Sequence, residues 1–260
     1  MKILYVAEIV GRAGIFAIKK ELLSLKEKLN IDFVIACADG ATGAKGLGRN
    51  HASYLKKLGC DVITLGDFCF SKKDLVDDLA SLPYVLRPSN FSGAAPGCGS
   101  YVFKNKKNQK IAVLVLLGQS GFVRLHSENP LFGLKETLSS LRAKTPFVII
   151  DYHASASAEK QTLFYALDGE CSAIIGSHSR VATADERILT GGTAVITDAG
   201  RTGSQYSVGG CEILSEVNFF LSGIPQWKKE AWDCSELQGL VIELDPNGKA
   251  LKIERLRKTV

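Results

Sequence analysis

Short apolar runs alternate with amphipathic stretches along this chain, the pattern of a layered α/β fold. Residues 2–7, 33–38 and 62–65 read as buried strands, and 13–29 and 50–58 as helices. In the first helix Phe16, Ile18, Leu22, Leu25 and Leu29 supply an apolar face, while Lys19, Lys20, Lys26 and Lys28 face water. A short helix at 73–79 precedes an extended segment at 85–87. Residues 101–104 and 110–117 read as a hairpin around the polar turn 105–109. Then come a helix at 131–143, strands at 147–152, 173–175 and 194–197, a helix at 212–221, and a closing hairpin of 240–244 with 251–256. No repeat or linker interrupts the series, so one domain spanning 1–260 is expected.

The polar residues that break this pattern are placed selectively. Glu8, Asp39, Asp67, His153 and His178 each lie at or just beyond the C-terminal end of an expected strand. In an open α/β sheet those ends converge on the crevice where ligands bind. One acidic residue after a strand is ordinarily a cap or turn residue; five candidate ligands arriving by the same route suggest a site.

Composition narrows the setting. Hydrophobic residues make up 46% and charged residues 23% of the 260, which is ordinary for a folded globular chain. The net charge of +5 suits anionic ligands, but no Lys/Arg block marks a nucleic-acid arm. Seven cysteines without CxxC spacing argue against a disulfide framework or zinc ribbon and for a reducing compartment. Glu8 and Arg12 break the apolar N-terminus, so a first strand explains it better than a signal peptide, and no run reaches the length of a membrane span. A cytoplasmic location is expected.

The site residues sit in contexts that resemble a known family. Gly66-Asp67-Phe68 resembles the GNH segment of calcineurin-like metallophosphoesterases, Gly176-Ser177-His178-Ser179-Arg180 their GHTH segment, and Asp151-Tyr152-His153-Ala154 the strand-end His motif between them. Gly43-Ala44-Lys45-Gly46, Arg87-Pro88-Ser89-Asn90-Phe91, Thr183-Ala184-Asp185 and Thr197-Asp198-Ala199-Gly200 are similar to the YmdB-type branch, in order and over nearly the whole chain. The resemblance implies a four-layer α/β/β/α sandwich of two sheets and a di-metal phosphodiesterase site, with 2′,3′-cyclic nucleotides among the substrates. In that chemistry one metal lowers the pKa of a water, both neutralise phosphoryl charge, and a histidine protonates the leaving alkoxide.

Carried over residue by residue, the implied site is half dismantled. Glu8 stands for the first-strand Asp and reaches one methylene further, which leaves its ligation open. Asp39 stands for the bridging Glu, Gly40 for the Asn that follows it, and Asp67 for the Asn of GNH. Phe68 replaces the histidine implied as general acid and cannot donate a proton. Arg180 replaces the last histidine, and a guanidinium has no lone pair for a metal. Asp39, Asp67, His153 and His178 remain as a four-ligand set for one divalent metal, for which Mn, Fe or Zn would suit the donors. Arg180 is expected to replace the other metal electrostatically, by pairing with Glu8 or Asp39 or by gripping an anion. One metal or none is therefore expected, not two.

Arg180 and Asp67 are the catalytic candidates, and Gly40, Asn90 and Arg180 the substrate-binding ones. Three readings stand: a weakened phosphodiesterase acting on a small phosphodiester, nucleotide or RNA; a pseudoenzyme that binds such a ligand without turning it over; and a structural subunit, with a homo-oligomer expected. Cys69, His51, His126 and the lysines of the 105–109 turn read as inert or surface residues, and Phe219, Phe220 and Trp227 as core or subunit contact.

Overall fold

In the computed structural model, which describes residues 1–122, 125–224 and 229–260, the chain opens on β1 (Lys2–Val6). Ile3 and Tyr5 face one way, Leu4 and Val6 the other, and both sets join apolar clusters, so this strand is covered on both faces. β2 (Glu8–Ile9), α1 (Gly11–Lys28), β3 (Phe33–Cys37), α2 (Arg49–Lys57), β4 (Val62–Thr64), α3 (Lys73–Val76) and β5 (Val85–Leu86) follow. β1, β3, β4 and β5 are parallel neighbours in that order.

β6 (Ser100–Lys104) and β7 (Lys110–Leu117) form the expected hairpin, with Lys104 opposite Lys110. α4 (Leu134–Arg142) leads to β8 (Val148–His153), and α5 (Ser157–Ala166) to β9 (Ala173–Ser177); β7, β8 and β9 are parallel. β10 (Arg187–Ile188) and β11 (Ala194–Ile196) complete a second sheet of order β10-β11-β9-β8-β7-β6. β12 (Arg201–Ser204), α6 (Ile213–Ser222), β13 (Ser235–Leu244) and β14 (Ala250–Thr259) end the chain. Their strands return to the first sheet, whose order is β2-β12-β13-β1-β3-β4-β5 with β14 also paired to β13.

Three apolar clusters separate four layers. Tyr5, Ile35, Val113, Ile149 and Ile242 meet between the two sheets. Ile18, Leu22 and Leu55 from α1 and α2 cover the outer face of the first sheet against Val34 and Ile63. Leu138, Leu163 and Phe164 from α4 and α5 cover the second against Leu114 and Ile174. Each such fully buried side chain contributes about 1.5–3 kcal/mol. This is the α/β/β/α sandwich that the resemblance implied.

Some elements differ from the sequence expectation. α5 and β12 were not anticipated: α5 buries only Lys160, Leu163 and Phe164, and β12 reads Arg-Thr-Gly-Ser. The closing hairpin is longer than expected, because β14 alternates apolar with charged residues and buries only Ala250, so an apolar window sees only its middle. α4 starts three residues later than expected, where Gly133 takes φ +65° before Leu134. α6 buries none of its residues, and Leu214, Phe220 and Leu221 are exposed. Trp227 lies outside the described residues. The seven cysteines form no disulfide, and no described helix is long and apolar enough to cross a membrane.

Candidate active site

The C-terminal ends of β1, β3, β4, β8 and β9 deliver Glu8, Asp39, Asp67, His153 and His178. Asp39 is fully buried and holds the turn after β4: its Oδ1 accepts the Gly66 amide at 2.7 Å and its Oδ2 the Phe68 amide at 2.9 Å. Asp67, between those two amides, is thereby aimed across the gap at the second sheet. Its Oδ1 lies 2.8 Å from His153 Nε2 and 3.5 Å from His178 Nδ1. A Cβ at Gly66 would run into the His153 ring, so glycine is what lets the imidazole cross over this turn.

His153 is held from behind. Ser177 Oγ donates to Asp151 at 2.7 Å, so it accepts from His153 Nδ1 at 3.0 Å. Tyr5, at 2.8 Å, and Thr64 donate to the same Asp151 carboxylate. With the Nδ1 proton so directed, the lone pair of a neutral His153 sits on Nε2 and faces both Asp67 Oδ1 and His178 Nδ1, the latter at 3.1 Å. Their close approach requires a proton on one of the facing nitrogens, His153 Nε2 or His178 Nδ1, or a cation among them. Burial alone would lower the His153 pKa, but the Asp67 hydrogen bond and the Asp39 and Glu8 charges push it up to about 9. Burial pushes Asp39 up to about 7, helped by the Asp67 and Glu8 charges and opposed by His153. Burial alone would also raise Asp67, yet hydrogen bonds from His153 and His178 hold it well below the usual carboxylate range.

Glu8 is engaged elsewhere. Arg180 brings Nε to 2.9 Å and Nη2 to 2.7 Å from Glu8 Oε1, while Nη1 donates to the Gly209 carbonyl and Nη2 to that of Ala44. Glu8 is 2% exposed, and its Oε2 has no hydrogen-bond partner among the described residues. Gly40 makes room for this pair, since a Cβ there would lie 2.8 Å from Arg180 Nη2 and 3.1 Å from Glu8 Oε1. Glu8, Gly40 and Arg180 therefore form one mutually fitted unit.

The turn carrying His178 and Arg180 is strained, with φ +100° and +59° at those two residues. Between them, the Ser179 amide donates to Asp198 at 2.8 Å. Asp198 is fully buried and paired with the equally buried Lys160 at 3.1 Å, so an ion pair from α5 braces this turn. Sequence reasoning assigned no role to Ser177, Asp151, Lys160 or Asp198. A carboxylate inside the apolar run Val148–Tyr152 was the available signal for Asp151.

Other candidates fall away from the chemistry. Both Asn90 amide protons go to the carbonyls of Leu117 and Glu128, and its oxygen accepts the Leu117 amide, so these groups close a loop rather than face a ligand. Burial pushes the Cys69 thiol far up, in keeping with an inert residue. His126 is exposed, and His51 Nδ1 pairs with Thr42 Oγ1 at 2.7 Å. Phe68 is partly buried, with the Lys45 ammonium 5.0 Å from its ring centre. Phe122 packs on both site histidines, with ring centres 6.2 and 5.0 Å away.

The residues present fit one divalent cation. Donor atoms of Asp67, His153 and His178 lie within 4.8 Å of one another, and the Asp151–Ser177 relay fixes the ligating tautomer of His153 as outer partners of metal ligands do. Asp39 Oδ2 adjoins this set, 3.8 Å from His153 Nε2. Glu8, Cys37 and His153 also come within 4.8 Å. That second group fits a metal poorly, because burial and the neighbouring Asp151 and Glu8 charges keep the Cys37 thiol protonated and Arg180 holds Glu8.

Comparison with known proteins gives the family and the fold. The model of the YmdB-like protein family matches residues 4–256. The 2′,3′-cyclic-nucleotide 2′-phosphodiesterase of Bacillus subtilis (strain 168) is 35% identical over 258 residues, covering 98% of this chain and 96% of its own. A crystal structure described as a novel phosphatase of Mycoplasma pneumoniae superposes with a TM-score of 0.91 at 33% identity, over 100% of this chain and 93% of that one. A hypothetical protein of Thermus thermophilus superposes with a TM-score of 0.92 at 27% identity, over 100% and 99%. The chain belongs to the YmdB-like family and has the metallophosphoesterase fold.

Proposed function

We propose that this member of the YmdB-like family is a phosphodiesterase with a weakened site that uses one divalent metal, held by Asp67, His153 and His178 with Asp39 alongside. The observation that carries the reading is the convergence of Asp67, His153 and His178 beside an Arg180 already committed to Glu8. A Mn, Fe or Zn ion there would supply an activated water and neutralise phosphoryl charge. Arg180 fills the position of the second metal. Three of its five N–H groups donate to Glu8, Gly209 and Ala44 and Nη2 also lies 2.7 Å from Glu8, which leaves an Nη1 proton for a phosphoryl oxygen. Phe68 donates no proton, so water protonates the leaving oxygen. Losing a positioned acid costs on the order of 10²–10⁴ in rate. The substrate class is a small phosphodiester, with 2′,3′-cyclic nucleotides as the first choice after the activity named for the Bacillus subtilis relative.

The second reading, a pseudoenzyme that binds a nucleotide or RNA end without hydrolysis, is favoured by Phe68 and by the closed Arg180–Glu8 pair. Elemental analysis of protein purified without chelator, together with hydrolysis of a 2′,3′-cyclic nucleotide, separates the two. One metal per chain and slow turnover, both lost in His178→Ala, are expected for the enzyme. Nucleotide binding with no metal and no turnover, even in excess Mn²⁺, would leave the pseudoenzyme.

A further inference from the structure

The inner face of the first sheet is apolar over most of its length and changes character at one end. Leu240 and Ile242 of β13 and Ile253 of β14 face the second sheet in the apolar core. The two-residue period of a strand puts Glu236, Gln238, Arg255 and Arg257 on that same face. Gln238 lies opposite Arg257, and Leu240 opposite Arg255. On the other side of β13, the Arg201 amide donates to Gln238 Oε1 at 3.1 Å, so three adjacent strands contribute an Arg–Gln–Arg row. A cavity of about 330 Å³ opens over this row, roofed by Val181 and Ala182, which follow Arg180 in the chain.

Charges in the wall do not cancel. Arg255 gives its Nε to Glu186 at 2.7 Å, and Arg257 its Nε to Glu236 at 2.6 Å; neither guanidinium has another hydrogen-bond partner among the described residues. Arg201 is 7% exposed, bonds the Ser204 carbonyl through Nη2, and has a buried Nε with no partner among the described residues. Three guanidiniums thus stand against two carboxylates, with unengaged N–H groups around a cavity. A buried N–H without an acceptor is unfavourable, and planar N–H pairs match the oxygens of a phosphoryl group. The volume lies at the lower end of the range for small-molecule sites.

We propose that this cavity is a second anion site, taking a phosphoryl group borne by inorganic phosphate or by a small phosphomonoester. It is separate from the metal cluster and adjoins the Glu8–Arg180 pair, since Arg201 is the register partner of Glu8 across β12 and β2. The site does not depend on the metal or on turnover, so it stands or falls apart from the function proposed above.

The test is calorimetric titration of metal-free protein at low ionic strength, with inorganic phosphate in one arm and adenosine 3′-monophosphate in the other. Wild type and His178→Ala are expected to bind alike. Arg255→Gln/Arg257→Gln is expected to bind roughly tenfold more weakly or worse. Arg255→Lys/Arg257→Lys, which keeps the charge and loses the planar fork, should fall between and serves if the Gln variant does not fold. Tighter binding of the nucleotide would assign its sugar and base to the cavity, and equal binding the phosphoryl group alone; both support the site. No binding to metal-free wild type, or binding lost in His178→Ala and kept in the arginine variants, would overturn it.

Discussion

Arg180 places two nitrogens within 2.9 Å of a single oxygen of Glu8, a residue 172 positions earlier in the chain, and Gly40 lies against both. The guanidinium carries one positive charge into a position where the family pattern implies a dication. Arg180 is largely buried, and Glu8 holds its pKa above the ordinary arginine value against the opposing effect of burial.

Arg180→Ala should therefore destabilise the protein by about 3–5 kcal/mol, because it leaves the Glu8 carboxylate buried and uncompensated. Gly40→Ala should cost about 1–3 kcal/mol by forcing the pair apart, and less when Arg180 is already alanine. Urea unfolding of the two single variants and the double variant measures both. Additive effects would mean that Gly40 is not fitted to Arg180.

Ser177→Ala should lower metal affinity roughly 10–100-fold, as loss of an outer partner of a ligating histidine typically does. The loss follows from the freed Nδ1 of His153, which no longer has a fixed tautomer. Manganese titration gives the affinity and the thermal midpoint checks the fold. Unchanged affinity would remove His153 from the metal set.

Metal affinity should rise with pH up to about 9, as His153 gives up the proton that competes with the metal. The metal-free protein behaves oppositely. The folded pKa values of His153 and Asp39 are raised, so their contributions are complete below the ordinary values and are lost as pH rises through about 9 and about 7. Asp67 is lowered, so its contribution is present above the ordinary carboxylate value and is lost in acid. Thermal midpoints with chelator and with Mn²⁺ should diverge as pH rises through this window. A constant gap would contradict ligation by His153.

Phe68→His with Arg180→His should raise both metal content and phosphodiesterase rate, the acid alone contributing on the order of 10²–10⁴. Because Arg180→His by itself unpairs Glu8, the double variant should be less stable than wild type without metal and should recover with it. Metal per chain and turnover of a 2′,3′-cyclic nucleotide read the outcome. No gain in either would mean that Glu8 and Asp39 cannot rebuild the second position.

Much of this architecture was legible in the chain. The apolar runs of β1, β3, β7 and β8 are continuous because both faces are covered, and a polar residue at the end of such a run stands out. That is why Glu8, Asp39, Asp67, His153 and His178 could be picked out. Lys160 was not: on a helix with few apolar positions, nothing local separates a buried lysine from a solvated one. Asn90 read as a ligand contact, since a conspicuous motif does not reveal that its amide is committed to backbone carbonyls.

The sequence by itself determined the strands and helices, through periodicity, and what two side chains cannot do, because Phe68 has no proton to give and Arg180 no lone pair. The tertiary structure alone decided how the site residues fit together. Glu8 meets Arg180, Asp151 orients His153 through Ser177, and Arg201, Gln238 and Arg257 share a row because distant segments become neighbours in the two sheets. Periodicity acts over a few residues, whereas charge pairing and close packing act through space. Which buried charge finds a partner is therefore settled only when the sheets are assembled.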